Sequence, residues 1–176
     1  MINLITDLDQ AWNESDPDSY ASLQTPFSDT QFGELRTLYK KELPEVIRTL
    51  YTWKGGQSAL TERGLLPEWR LMQHSEIKME YQSFQELFEM GVFDKQNWWR
   101  PEWIPFLVNT EGAVLCLDPI GVFEGEVGQI IFVSGDDPDR TAWFPGLESL
   151  LKAAIHSLQS SSSLQFPPGF PKAHQA

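Results

Sequence analysis

Apolar side chains recur at helical spacing in five stretches of the chain, with short strand-like runs between them. Ile5, Leu8 and Trp12 fall at i, i+3 and i+7 and predict an N-terminal helix over residues 1–14, followed by a linker at Asp16-Pro17-Asp18-Ser19. Ser28 or Asp29 is placed to cap a second helix, in which Phe32, Leu35, Leu38 and Tyr39 form the apolar stripe while Lys40, Lys41 and Glu42 face water. Pro44 suits the opening turn of a third helix with Val46, Ile47, Leu50 and Tyr51 along one side, and Gly55-Gly56 is expected to give it a left-handed stop. Second and third together make a helical hairpin.

A short strand is expected at Glu68-Trp69-Arg70-Leu71-Met72, and after His74-Ser75 a fourth helix carries Ile77, Tyr81, Phe84 and Phe88 before Gly91. From Trp98 the pattern changes to apolar runs broken by turn residues: Trp103 to Val108, Ala113 to Asp118 and Gln129 to Val133, separated by Asn109-Thr110-Glu111-Gly112 and a Gly-rich loop. Both alternate sets of the first run, Trp103/Pro105/Leu107 and Ile104/Phe106/Val108, are apolar, so that strand is expected to be covered on both faces. Asp136-Asp137-Pro138-Asp139 reads as a turn and Thr141 to Phe144 as an edge strand. Leu147, Leu150, Leu151, Ala154, Ile155 and Leu158 stripe a last helix that closes the core. Residues 159–176, with Ser160 to Ser163 and Phe166-Pro167-Pro168-Gly169-Phe170-Pro171, keep neither period and read as a flexible or loosely docked tail. No internal repeat is present, and the expected organisation is a single domain over 1–158.

Composition narrows the function classes. A chain of 176 residues with seven Trp and eleven Phe holds enough apolar area for one core. Its 25 acidic residues outweigh 13 basic ones, a balance that repels the phosphate backbone, so no nucleic-acid partner is expected. The same field speeds encounter with a basic protein, although solubility alone also accounts for it. No apolar run approaches the roughly 20 residues that span a bilayer, and Met1 to Asp7 lacks a basic region followed by an apolar one; no membrane partner and a cytoplasmic location are expected.

Candidate chemistry is sparse. His74, His156 and His174 are far apart and Cys116 is the lone cysteine, set in an apolar strand, so neither a metal nor another cofactor is expected. Gly121, Gly125 and Gly128 lack the Gly-Lys-Ser/Thr of a phosphate loop and serve turns. Asp118, Glu124 and Glu126 bracket the Gly-rich loop. They admit a glycan acid/base reading, against which Asp118-Pro119 is also an ordinary strand exit. Trp98, Trp99 and Trp103 are either core anchors or interface hot spots. Trp103 and Phe106 are expected buried, and one of Trp98 or Trp99 partly exposed.

The order of the C-terminal motifs resembles a known family. Trp98-Trp99-Arg100-Pro101-Glu102-Trp103-Ile104-Pro105-Phe106, a polar turn ending in Gly112, Leu115-Cys116-Leu117-Asp118-Pro119 and Gly125-Glu126-Val127-Gly128-Gln129-Ile130-Ile131 resemble the core signature of the SUKH superfamily, which includes the fungal Smi/Knr cell-wall assembly regulators. Leu43-Pro44-Glu45 and the helix ending Trp53-Lys54-Gly55-Gly56 resemble its N-terminal helix, with Lys54-Gly55 where the family has Asn-Gly. The resemblance spans about 27–158. It implies an α+β fold with a central, largely antiparallel sheet flanked by helices, and a non-catalytic protein-binding function. In bacterial members that function is immunity to a cognate toxin, here expected to be a basic domain; the alternative is a regulatory scaffold that uses the Pro-rich tail for docking. Partner contacts are expected at Trp98, Trp99, Glu124, Glu126, Asp136, Asp137 and Asp139.

Overall fold

A computed structural model describes residues 1–58, 63–92, 98–135, 140–160 and 163–174. The N-terminal periodicity forms helix α1, Ile2–Ser15, with Ile5, Leu8, Ala11 and Trp12 buried. The expected linker after it is instead a short helix, α2, Pro17–Ala21. Pro17 occupies its first turn and the Asp16 carboxylate accepts from the Ser19 amide at 3.0 Å, which is the ordinary chemistry of a helix start. Of the two candidate caps for α3, Asp29–Tyr39, Ser28 is the one used. Its hydroxyl accepts from the Gln31 amide at 3.3 Å while Gln31 Oε1 accepts from the Ser28 amide at 2.9 Å, a reciprocal pair that satisfies two otherwise orphaned donors.

Helix α4, Glu45–Trp53, starts behind Pro44, and its ending differs from expectation. Lys54 leaves it in extended conformation, with φ −143°, rather than through a left-handed glycine. The two glycines are needed one step later for close backbone packing. A Cβ on Gly55 would collide with the Thr25 carbonyl oxygen, and one on Gly56, at φ +107°, would lie 2.7 Å from that of Met72.

The strands form one antiparallel sheet in the order β1-β2-β3-β4-β5-β6, comprising β1 Trp69–Leu71, β2 Ile104–Asn109, β3 Val114–Asp118, β4 Gln129–Val133, β5 Arg140–Phe144 and β6 Lys172–His174. Helix α5, His74–Glu89, follows β1 and packs against β2; α6, Leu147–Ser160, follows β5 and packs against α1. The fold is therefore α+β, a sheet flanked by helices. As its two-sided apolar pattern predicted, Ile104 to Leu107 of β2 are all buried. Pro105, which has no N–H for the ladder, sits at a register irregularity beyond the end of β1. The Tyr51 hydroxyl lies 3.1 Å from the Met72 carbonyl and 3.3 Å from that of Phe106, fastening α4 to this edge.

At the opposite edge β5 is an interior strand, not the expected edge. Lys172–His174 pairs with it, Arg140 facing His174 and Ala142 facing Lys172. Phe166 meets Trp143 edge-on at 5.4 Å, and Leu164 and Phe170 also pack against the core. Residues 163–171 show no period because isolated anchors, Leu164, Phe166 and Phe170, rather than a regular face, hold them.

Candidate protein-binding surface

The loop joining β3 to β4 is built from its two ends inward. Asp118, the last residue of β3, and Gln129, the first of β4, face each other in register, and both are almost fully buried. Asp118 accepts from the Ile120 amide at 3.1 Å, the Val122 amide at 2.7 Å and Gln129 Nε2 at 2.9 Å. Gln129 Nε2 also reaches the Val122 carbonyl at 2.8 Å, and the Gly128 amide donates to the Asp118 carbonyl at 2.7 Å. A buried carboxylate is tolerated only when its lone pairs are used in this way. The network explains Gly125 as well, since a Cβ there would collide with the Gln129 side-chain amide.

With its ends fixed, the loop holds two consecutive non-glycine residues in the left-handed region, Phe123 at φ 58° and Glu124 at φ 56°. Each such residue costs about 1 kcal/mol or more and persists only where its surroundings over-determine it. One determinant is Phe123 itself, whose ring lies 6.4 Å from that of Trp103. Trp103 is in turn edge-on to Trp99 at 6.0 Å, and Trp99 stacks on Phe84 of α5 at 4.7 Å. An aromatic row thus runs from α5 to the loop. On its outer side the loop exposes Glu124, Glu126, Ile120 and Val127, the last at 74%.

The anticipated contact residues are distributed unevenly. Glu124 and Glu126 come together here. Trp99 is 0% exposed and belongs to the core row, so it is withdrawn as a contact residue. Trp98 is the half-exposed one of the pair; its carbonyl accepts from Arg140 Nε at 2.9 Å and Nη2 at 2.7 Å. Arg140 begins β5, at the end of the sheet away from the β3–β4 loop. Asp136, Asp137 and Asp139 lie outside the described residues. Ile120 and Val127 were missed because an exposed aliphatic residue in a loop carries no periodic signal.

The carboxylate reading for catalysis fails at Asp118, whose oxygens are occupied by loop donors in a buried position. Cys116 is buried, and burial pushes its thiol well above the usual range, which disfavours the nucleophilic thiolate. Among the described residues no group of three or more His, Cys, Asp and Glu side chains is arranged to hold a metal ion. Nor is any described helix long and apolar enough to cross a membrane.

The model of the SMI1 / KNR4 family (SUKH-1) matches residues 26–153. The chain belongs to this family. No curated protein matches it significantly. The SUKH-1 match takes in α3, α4, α5, β1 to β5 and the first half of α6, and so includes the Asp118–Gln129 loop; α1 and β6 are outside it.

Proposed function

We propose that this SUKH-1 protein is a non-catalytic binding domain that occludes another protein, in the manner of the family's immunity proteins, and that its partner is a basic toxin domain. The observation that carries this reading is the pinned β3–β4 loop. It presents two acidic and two apolar side chains on a backbone already held in its final shape, so little ordering entropy opposes association. An excess of acidic residues, with a net charge of −12, favours encounter with a basic surface. The scaffold alternative relied on the Pro-rich tail as a free docking segment. Phe166 and β6 are engaged with β5 and its neighbours, which weakens that alternative.

The test is capture of partners by the tagged protein from lysates of its source and of neighbouring strains at low and high salt. The identified partner is then purified and its toxicity assayed with and without this chain. A basic domain that is released at high salt and silenced by stoichiometric protein supports the proposal. Capture of host enzymes alone, unaffected in their activity, would transfer the case to the scaffold reading.

A further inference from the structure

A groove of about 390 Å³ opens beside the α5 end of the aromatic row, where Tyr81 meets Trp99, between the C-terminal end of α3, one side of α5 and the turn at Pro101–Glu102. Tyr39 and Tyr81, ring centroids 4.4 Å apart, form its floor, and the Tyr81 hydroxyl is tied to the Pro101 carbonyl at 3.2 Å, so the walls are fixed to one another. Its rims carry opposite charge. Lys40 and Lys41 stand on the α3 side; Glu86, Glu89 and Glu102 stand on the other. None of these five has an ion pair among the described residues. Glu86 also borders a neighbouring depression lined by Met79, which is 60% exposed, and Met90 beyond the end of α5 is 68% exposed, so apolar surface continues past the rim.

A volume of this size suits a few side chains rather than a protein face. The rim carboxylates outnumber the lysines, and the net charge of the chain adds to their field. We propose that the groove is a second contact site for the polypeptide partner, seating an apolar side chain on Tyr39 and Tyr81 while an adjacent Arg or Lys reaches Glu86 and Glu102. This rests on the protein-binding reading and adds to it both a place and a recognition rule, an apolar anchor next to a basic residue. Lys40 and Lys41 set the direction, because a basic side chain on their side of the groove is repelled.

The full chain is panned against a random dodecapeptide library displayed on phage, and enriched peptides are titrated against Glu86→Lys/Glu102→Lys. Glu45→Lys/Glu111→Lys, which makes the same charge change on exposed sites elsewhere, is the control. The expected result is enrichment of peptides pairing an aromatic or aliphatic residue with Arg or Lys, and about tenfold weaker binding by the groove variant alone, with its thermal midpoint unchanged. Failure to enrich any peptide overturns the groove. So does equal loss in both variants, which would reduce the effect to net charge, and so does undiminished binding, which would place the peptides elsewhere. None of these touches the parent reading, which is decided by capture and silencing of a whole protein.

Discussion

Strand β3 is entered through one connection and left through another, and the two are made differently. On the entry side, Asn109 to Ala113 reverses the chain with an exposed device: Asn109 Oδ1 accepts from the Glu111 amide at 3.1 Å and the Ala113 amide at 2.8 Å, and Gly112 takes φ +85° with open space around it. On the exit side, the chain from Asp118 to Gln129 commits two buried polar side chains and tolerates two left-handed non-glycine residues. A reversal does not require that. The contrast teaches that the exit loop is held at both ends by buried polar groups while it exposes Ile120, Glu124, Glu126 and Val127, whereas the entry turn is held by its own Asn109 side chain; the binding role proposed above would account for that difference.

The contrast can be broken most forcefully at Asp118. Asp118→Ala leaves the Ile120 and Val122 amides and Gln129 Nε2 without their acceptor, and a loss of about 3–5 kcal/mol is expected in denaturant unfolding. A loss under about 1 kcal/mol would mean that water replaces the carboxylate easily and that the loop is not pinned. Gly125→Ala drives a methyl into the Gln129 side chain and should cost about 1–3 kcal/mol, read as a lowered thermal midpoint. Gly112→Ala meets no neighbour and bears only its backbone strain, about 1 kcal/mol, so the two alanine variants measure crowding against strain. The smallest effect has the opposite sign. Glu124→Gly relieves a left-handed residue and should leave stability unchanged or raise it by up to about 1 kcal/mol, while partner capture falls. A destabilised Glu124→Gly would show that the side chain, and not the loop ends, holds this backbone.

Much of the fold was legible because periodicity reports burial. The Ile5/Leu8/Trp12 spacing, the Ser28 start and the two-sided apolar pattern of residues 103–108 all correspond to observed elements. Where reading failed, the decisive contact was remote in sequence. Nothing local says that Lys172–His174 returns to cover β5, that Gly55 is needed against Thr25, or that Trp99 rather than Trp98 is the core ring. At the candidate surface, the turn role of Asp118-Pro119 was readable from residue chemistry. The partnership of Asp118 with Gln129 was not, because it depends on the β3–β4 register.

The central claim, that the pinned loop is the surface a partner meets, is tested most directly by calorimetric titration of a captured, purified partner into the wild-type chain and into Glu124→Lys/Glu126→Lys. Both glutamates are exposed, so folding should be unaffected. The account predicts an affinity at least about tenfold lower for the double variant, with the deficit shrinking as salt is raised. Equal affinity at low salt in a variant with an unchanged thermal midpoint would contradict it.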